Sequence, residues 1–507
     1  MVLIRARSLG ALGIALVLAT SCTPGSQPAS QVRFDQEACP PDLPPATEGV
    51  ELTCGYLTVP ERHAETDGST IQLFVARYKL DGPLPTDPVV VIGGRDLAVP
   101  VLYADDMSVL PARVGREVIV LEPRGTGYGR PSLGCPEVDR LDLSMLGASL
   151  GEAQPRDDLT SAVHRCWTRL SGSGIDPSAY NIEESAADVA DLRTALHLTS
   201  FDIGTYGYDS KIAFEVVRRF PAGVRAVYMD SPVYPDQTIF DIAVWGTRRA
   251  LRTLAETCSA QARCQTVIPN IIAAFDDVVS HAAEAPSTSP AAPPSSTTPI
   301  PTTIDGMTIA RTIRDFLSFS PASVPRELAA LDRGKTSSVA LYLAASRPTC
   351  FGYRLFCGTE YQPAALGALL SILCHDEAPF TSTEALASVS VDVPGLADAF
   401  VDNPYLELCA SWPVGRAGSS ERMPIRSDVP ILMLHGELDP YSSMPDSMTL
   451  SAMTHAHAFA FPGQSTSPIA EGSSDCAQSV RAAFLDDPTA EADASCISTM
   501  DPLPLAA

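Results

Sequence analysis

Residues 201–221 read Phe201-Asp-Ile-Gly-Thr-Tyr-Gly-Tyr-Asp-Ser-Lys-Ile-Ala-Phe-Glu-Val-Val-Arg-Arg-Phe-Pro221, and this stretch decides the fold. It begins with a short β-type run and then makes a tight, Gly-containing turn. A helix with an apolar face follows and ends with two arginines before Pro221. Because a second buried strand, Arg225–Asp230, comes directly afterwards, the order strand, turn, helix, strand predicts an α/β protein with a mostly parallel central sheet flanked by helices.

The turn is similar to a nucleophile elbow, the corner on which α/β-hydrolases present a catalytic serine within Gly-x-Ser-x-Gly. The segment resembles the elbow of bacterial tripeptidyl-aminopeptidase-like serine hydrolases of the proline-iminopeptidase clan. Their elbow reads roughly Asp-Leu-Tyr-Gly-Thr-Ser-Tyr-Gly-Thr before an Ala-Arg-Arg-Tyr-Pro helix end. The resemblance implies an α/β-hydrolase fold with an inserted helical lid, and a Ser–His–Asp triad wherever the family's chemistry is intact.

A gapless alignment puts Gly207 at the nucleophile position, with Thr205 and Asp209 in place of the two flanking glycines. The residues that anchor this alignment are Asp202, Ala213, Arg218, Arg219 and Pro221. A one-residue slip puts Tyr206 at the nucleophile position instead, but it requires compensating gaps. Neither register supplies Ser, Cys or Asp, and Ser210 lies three residues past the apex without a nearby general base. We therefore expect an inert elbow.

The C-terminal part resembles the family's segments for the acid and the base. Val429–Pro440 is a buried strand and loop that place the triad acid at Asp439. After the next strand the family reads Gly-x-Gly-His, and here Thr466 occupies the histidine position. His455 and His457 are the last histidines of the chain and lie at or before the start of that strand. Since triad groups gather at the carboxyl ends of parallel strands, a five-residue strand leaves His457 about 16 Å away.

The loop that follows the predicted strand at residues 88–92 corresponds to the family's oxyanion loop, which reads Gly-Gly-Pro-Gly. Gly93 and Gly94 match it, whereas Arg95 and Asp96 stand where Pro and Gly would be. The resemblance implies that backbone N–H groups of Gly94, Arg95 and Tyr208 surround the oxyanion position, and the charged pair crowds it. An ordinary turn after a buried strand is the alternative interpretation.

The N-terminus has the pattern of an export signal. Arg5 and Arg7 form a basic region, and the apolar run Leu9–Ala19 is too short for a spanning helix, which needs about 20 residues. Small residues before Cys22 resemble a bacterial lipobox, although Ala19 stands where Leu is usual. We expect residues 1–21 to be a signal peptide and Cys22 to be the lipid anchor on the outer face of the bacterial cell membrane, with simple secretion as the alternative.

Cysteine usage agrees with an oxidising compartment. Of the 13 cysteines, removing Cys22 leaves an even set of twelve. Sequence alone does not fix the connectivity, and our hypothesis pairs neighbours along the chain. The hypothetical pairs are Cys39–Cys54, Cys135–Cys166, Cys258–Cys264, Cys350–Cys357, Cys374–Cys409 and Cys476–Cys496. No Cys/His cluster has the spacing of metal ligands, so we expect no metal and no cofactor.

The chain divides by pattern into a core that is interrupted by a lid. We expect a tether and N-terminal segment at 22–47, core at 48–232, a helical lid at 233–425 and core again at 426–507. The predicted helices are Glu183–Leu198, Thr247–Glu256, Ile309–Leu317, Val324–Leu331 and Ser474–Asp486. The Pro/Ser/Thr-rich run at 285–303 is expected to be a disordered loop, and His375 a lid or surface histidine.

The formal charge of −25 over 507 residues excludes nucleic acid as the expected partner, because phosphates attract Lys and Arg. Three functions remain open at the sequence level. The first is an exported lipoprotein with a hydrolase fold but no hydrolase activity, which binds a peptide or another envelope component. The second is an active aminopeptidase or esterase of the same family, and the third is a structural envelope protein whose cleft is filled by the lid.

Overall fold

The computed structural model describes residues 32–65, 68–93, 104–141, 145, 147–149, 152–292, 297–346, 365–389, 393–400, 404–442, 444–445, 447–469 and 474–505. Within these residues nine strands form one sheet, in the order β1-β2-β3-β5-β4-β6-β7-β10-β11. Their bounds are β1 Arg33–Glu37, β2 Val50–Pro60, β3 Thr70–Leu80, β4 Val89–Ile92, β5 Val118–Leu121, β6 Phe201–Tyr206, β7 Val224–Asp230, β10 Ile431–Gly436 and β11 Ala456–Phe461.

The sheet has an antiparallel edge and a parallel body. β1, β2, β3 and β5 pair antiparallel with one another in turn. From β5 onward every pair is parallel: β5 with β4, β4 with β6, β6 with β7, β7 with β10, and β10 with β11. The carboxyl ends of β6, β7, β10 and β11 therefore meet at one edge of the sheet, where the site described below lies.

Helices cover both faces of the sheet, which explains why its central strands are continuously apolar. On β5, Ile119 and Leu121 belong to one buried cluster, whereas Val118 and Val120 belong to the cluster on the opposite face. The helices of the core are α1 Ala104–Val114, α2 Pro136–Asp139, α3 Ala153–Gly172, α4 Ile182–Ala195, α5 Ser210–Arg219, α16 Ser447–Ser451 and α17 Asp475–Asp486. The predicted α/β-hydrolase fold, a mostly parallel sheet flanked by helices, is confirmed.

A largely helical insertion separates β7 from β10, and we call it the lid. Its helices are α6 Ile239–Ser259, α7 Ala262–Val267, α8 Ile271–Glu284, α9 Gly306–Phe319, α10 Val324–Asp332, α11 Ser337–Ser346, α12 Leu366–Ile372, α13 Thr383–Val389, α14 Pro394–Phe400 and α15 Pro404–Leu408. α12 continues into a π-helical turn, Leu373–Glu377. The three lid helices predicted from sequence lie within α6, α9 and α10.

The Pro/Ser/Thr-rich run at 285–303 differs from the expectation of disorder. β8 (Ser287–Ala291) and β9 (Ile300–Ile304) pair antiparallel as a hairpin that contacts α11. Thr302 and Ile304 are fully buried. The expectation was wrong because composition alone hides the alternation of β9, which directs these two side chains inward and leaves their neighbours outside.

The sheet also begins earlier than expected. β1 lies inside the segment 22–47 that we placed before the core, and it forms the edge strand next to β2. Five of the hypothetical disulfides are confirmed: Cys39–Cys54, Cys135–Cys166, Cys258–Cys264, Cys374–Cys409 and Cys476–Cys496. Cys350, Cys357 and the expected anchor Cys22 lie outside the described residues. Within those residues, we find no helix with the length and apolar character needed to cross a bilayer.

Candidate functional site

The elbow has the backbone of a nucleophile corner without the nucleophile. β6 ends at Tyr206, and Gly207 adopts φ +55°, a left-handed conformation that side-chain-bearing residues rarely adopt. A Cβ built at this position meets no atom of the described residues within 4 Å. Gly207 thus occupies the strained apex from which a catalytic side chain would project, and the gapless alignment fits this geometry.

The residues after the apex are committed to structural bonds. Ser210 is fully buried, and its hydroxyl contacts the carbonyl oxygens of Gly207 at 2.7 Å and of Val233 at 3.0 Å while accepting the Val233 N–H at 2.8 Å. This hydroxyl ties the elbow to the loop that follows β7, and it has no basic group as a partner. Tyr208 turns its side chain toward the lid, where its hydroxyl donates to Glu377 Oε1 at 2.5 Å.

The acid predicted from the sequence lies in a tight loop after β10. Asp439 is fully buried, and its Oδ1 accepts the Tyr441 N–H at 2.8 Å. Burial raises the pKa of this carboxyl, while hydrogen bonds from Ser231 and the Tyr441 backbone oppose the shift. Gly436 permits the loop to close, since a Cβ there would lie 1.8 Å from the carbonyl oxygen of Ser465 in the facing loop.

Thr466 stands in the place of the imidazole and makes one of the bonds that an imidazole would make. Its Oγ1 donates to Asp439 Oδ1 at 2.9 Å and accepts the hydroxyl of Ser318 at 2.6 Å. Ser318 belongs to the C-terminal turn of lid helix α9 and is buried. Hydrogen bonds thus run from Ser318 to Thr466 and from Thr466 to Asp439. We call these three side chains the hydroxyl relay. Sequence reasoning missed Ser318, because nothing in a lid helix marks one serine as a partner of a distant loop.

The next residue, Ser467, repeats the arrangement on the neighbouring strand. Its hydroxyl donates to Asp230 Oδ2 at the carboxyl end of β7, and its N–H donates to Ser231 Oγ at 3.0 Å. Burial raises the pKa of Asp230 to about 8, and the charge of nearby Asp439 adds to the shift although the Ser467 hydrogen bond opposes it. Two buried carboxyls, each held by a hydroxyl, therefore lie at the sheet edge where a hydrolase gathers its triad.

A serine–histidine contact does exist close to Asp439, and sequence reasoning did not foresee it. Ser442 Oγ lies 2.9 Å from His435 Nδ1, and both side chains are at most 1% exposed. The Ser442 hydroxyl also donates to the carbonyl oxygen of Pro232 at 2.7 Å. These contacts assign the imidazole proton to Nδ1, and Nε2 accepts from Tyr234 at 3.1 Å.

This buried pair lacks the arrangement of a triad. Burial and the charge of Arg249 lower the pKa of His435 to about 3, so the ring is neutral. The ring nitrogen that faces Ser442 carries the proton and therefore has no lone pair to accept another. No hydrogen bond joins Asp439 to the imidazole among the described residues. The pair is best described as packing of β10 against the loop after β7.

The remaining predicted site residues fall into two groups. Gly94 and Arg95 of the oxyanion loop lie outside the described residues. His457 stands opposite Leu432 near the start of β10, away from the edge that carries Asp439. His375 belongs to the lid and pairs with Asp376 at 3.0 Å. No group of three or more His, Cys, Asp or Glu side chains within the described part of the chain is arranged to hold a metal ion.

The strand order, the left-handed apex after β6 and the acid loop after β10 define a protein of the α/β-hydrolase fold. Residues 396–496, which contain both Asp439 and Thr466, match the family of TAP-like proteins. A protein of Escherichia coli (strain K12) named "Putative hydrolase YuaR" is 23% identical over 209 residues, which cover 39% of this chain and 40% of that protein. The alignment thus spans less than half the length of this relative.

Solved structures align with most of the chain at low identity. Proline iminopeptidase from Mycobacterium smegmatis is 13% identical with a TM-score of 0.37, covering 86% of this chain and 98% of its own. Esterase EaEST from Exiguobacterium antarcticum is 10% identical with a TM-score of 0.36, covering 83% and 97% respectively. Because these TM-scores are low, we draw no conclusion from the superpositions. The fold is inferred from the order of the strands in the sheet.

Proposed function

We propose that this chain is an exported α/β-hydrolase-fold protein of the cell envelope that no longer hydrolyses and instead binds a peptide or another envelope component at the former catalytic edge. The observation that carries the proposal is the hydroxyl relay, in which Thr466 takes the position and the carboxylate contact of the missing imidazole. Cys22 is proposed as the lipid anchor, and the confirmed disulfides support an oxidising location.

The hydroxyl relay supports the proposed loss of hydrolysis because neither of its hydroxyl groups accepts a proton near neutral pH. Triad hydrolysis needs a nucleophile and a base that accepts its proton near neutral pH. The threonine hydroxyl at 466 is not such a base, and Gly207 offers no side chain to deprotonate. Loss of either the nucleophile or the base alone lowers turnover on the order of a million-fold, so the loss of both leaves Asp439 with nothing to orient.

The binding part of the proposal is supported by what remains at the edge. Among the described residues, the space beside the Gly207 apex stays open, whereas an occluded elbow would place atoms there. The acid loop and the lid still meet across Thr466 and Ser318, which gives the former cleft a fixed wall. A peptide is the proposed ligand class because the elbow and acid segments resemble those of tripeptidyl-aminopeptidase-like hydrolases.

A fluorophosphonate probe tests the loss of activity. We expect no labelling of the wild-type chain, because the probe requires an activated serine. The double variant G207S/T466H restores a nucleophile and a base to positions that the fold still presents, and it should gain labelling. The matched single variants G207S and T466H should stay unlabelled. Stoichiometric labelling of the wild-type chain, or peptide hydrolysis that survives purification, contradicts the proposal.

Hydrolysis by another serine is the second candidate, favoured by the contact between Ser442 and His435. The comparison that separates the two candidates is the wild-type chain with its S442A variant. If Ser442 is a nucleophile, the wild-type chain is labelled and S442A is not. We expect neither to be labelled, since Ser442 is fully buried and bonded to Pro232. The S442A variant should differ from wild type only in stability.

A further inference from the structure

A second concentration of ionisable groups lies away from the former triad, where helix α5 meets the lid. A small, partly open pocket lies between the two. The charged side chains that line it are Lys211, Glu215 and Arg218 on α5, and Asp376, Glu421 and Arg422 on the lid side. We call this set the lid junction. Its walls come from the elbow helix and from the last segment of the lid, so its state decides how firmly the lid is attached.

Arg218 fastens the last lid segment to α5. Its guanidinium donates to the carbonyl oxygens of Ser420, of Glu421 at 3.4 Å and of Met423 at 2.7 Å. The same segment is joined to the π-helical turn, because Ala417 N–H donates to the His375 carbonyl at 2.9 Å. The lid junction is thus held mainly through backbone groups, and the carboxyl groups around it are not needed for these bonds.

Two carboxyl oxygens at the lid junction have no hydrogen-bond donor among the described residues: Asp376 Oδ2 and Glu421 Oε2. Asp376 has a side chain only 3% exposed, and its other oxygen lies 3.0 Å from His375 Nδ1. The other oxygen of Glu421 accepts the Gly418 N–H at 3.0 Å. Protonation of either acid converts an acceptor into a donor, which is the change that allows two carboxyl groups to share a hydrogen bond.

The other charged side chains around the lid junction make their own contacts, although Arg422 Nη1 has no hydrogen-bond partner among the described residues. On α5, Lys211 binds Glu377 at 2.6 Å, and Glu215 lies 3.4 Å from Arg218 and 3.9 Å from Arg219. From the start of α4, Glu183 pairs with Arg219. On the lid side, Arg416 and Arg422 lie over the ring of Phe380, and Arg422 also donates to the Asp236 carbonyl. Asp376 and Glu421 therefore face each other's charge, with His375 and Lys211 acting on Asp376 and Arg218 near Glu421.

We propose that the lid junction is a proton-operated latch, in which uptake of protons by Glu421 and Asp376 holds residues 415–423 and the turn 373–377 against α5, and release of these protons loosens them. The proposal stands apart from catalysis, and it holds whether or not the chain hydrolyses anything.

The direction of the pH response follows from the burial of these groups. Burial, together with the charges of Asp376 and Glu215, raises the pKa of Glu421 to about 7. Burial also raises the pKa of Asp376 and of Glu215. An acid whose pKa is higher in the closed state favours that state less as pH rises. The latch should therefore weaken from about pH 4.5, the ordinary value for Glu, up to about pH 7.

His375 contributes in the same direction. Burial alone would lower its pKa, but the hydrogen bond to Asp376 and the charge of that carboxylate raise it on balance. A histidine with a raised pKa stabilises the closed state at low pH and loses this contribution as pH rises past its folded value. Both kinds of group thus loosen the latch on the alkaline side.

The latch connects to the elbow through one adjacent residue. Glu377 follows Asp376 in the π-helical turn, and its two oxygens accept from Tyr208, from Lys211 and from the Ile239 N–H at 2.7 Å. Tyr208 is the residue next to the Gly207 apex. Loosening of the turn therefore reaches the wall of the former catalytic edge, and pH is expected to change access to it.

Hydrogen exchange on the full mature chain at pH 5 and pH 7.5 tests the latch. After correction for the intrinsic pH dependence of exchange, we expect protection of residues 373–377 and 415–423 to fall about tenfold at the higher pH. In E421Q the side chain at position 421 is neutral at both pH values, so the fall in protection should be clearly smaller than in wild type, with Asp376 and His375 supplying the remainder. The matched control E491Q removes an exposed acid and should behave as wild type.

Two results overturn the latch. One is equal protection of these segments at both pH values in the wild-type chain, which needs no variant at all. The other is a folded E421Q protein whose pH response equals that of wild type. If E421Q does not fold, D376N serves as the second variant and should likewise reduce the response.

Discussion

The hydroxyl relay and the lid junction differ in how their buried carboxyl groups are held. At the edge, Thr466 and Ser318 carry no charge and hold the Asp439 carboxyl by neutral hydroxyl groups. At the lid junction, Lys211 and Glu377 form a buried ion pair, and Asp376 and Glu421 beside it each have one carboxyl oxygen without a donor among the described residues. A hydrolase concentrates its ionisable groups at the first place. This molecule has a buried ion pair at the second.

The difference indicates which contacts the present molecule depends on. A hydroxyl relay contributes modest stability and no base, since a neutral hydrogen bond is worth about 1 kcal/mol net. A buried ion pair is far more sensitive to the loss of one partner, because the remaining charge is left desolvated. Stability should therefore depend more on how the lid is fastened to the elbow helix than on the hydroxyl relay.

Removing one partner of the buried pair should cause the largest loss of stability. In E377A, the Lys211 ammonium keeps only the Gln237 carbonyl, and the Tyr208 hydroxyl loses its acceptor. We expect a loss of about 3–5 kcal/mol in the free energy of unfolding. Urea denaturation at pH 7 measures it.

The matched control is an exposed pair in the same chain. Arg33 and Asp35 lie 2.8 Å apart but are roughly half exposed, so R33A should cost about 0.5 kcal/mol or less. Replacing both buried partners, in K211M/E377L, should cost less than E377A alone. A loss in E377A no larger than that in R33A would show that the ion pair does not hold the lid.

The second prediction concerns the acid at the end of β7. Because Asp230 has a pKa of about 8 in the folded chain and about 3.8 unfolded, folding takes up a proton, and stability should fall as pH rises between these values. In D230N this contribution is absent. The stability of D230N relative to wild type should therefore grow from pH 4 to pH 8, by as much as about 5 kcal/mol at about 1.36 kcal/mol for each pKa unit.

Unfolding curves at several pH values provide the measurement. The E421Q variant separates the Asp230 effect from the latch. The pH response that E421Q removes is confined to the lid segments, whereas the response that D230N removes extends to β7 and β10. Parallel stability curves for D230N and wild type contradict the assignment of a raised pKa to Asp230.

The sequence alone predicts much of the fold and part of the site, and the reasons are physical. Local patterns predict the parallel sheet and the position of the lid. These patterns are the tight turn after Ile203 and the apolar runs of β4, β5 and β10. The elbow apex at Gly207 and the acid at Asp439 come from motif resemblance. The contact of Ser318 with Thr466 joins positions 148 residues apart, and no local pattern encodes such a pair.

The dependence on long-range packing also explains why the sequence did not predict the hairpin or the lid junction. The hairpin at 287–304 was hidden by a composition that is typical of disorder, while its stability comes from tertiary burial of Thr302 and Ile304. The lid junction was invisible because its acids, Glu215, Asp376 and Glu421, are ordinary surface residues until the lid packs on α5. Buried charge depends on packing that a linear pattern does not record.

The smallest expected effect belongs to the relay itself. In T466V the Asp439 carboxyl loses one donor but keeps the Tyr441 N–H, and Ser318 loses its acceptor. We expect a loss of about 1–2 kcal/mol in urea denaturation, and a similar loss in S318A. Because the two hydroxyls share one bond, the double variant should lose less than the sum of the single losses. Additive losses in the free energy of unfolding would show that the two hydroxyls act separately. A loss in T466V as large as that in E377A would show that stability does not depend more on the lid junction than on the hydroxyl relay.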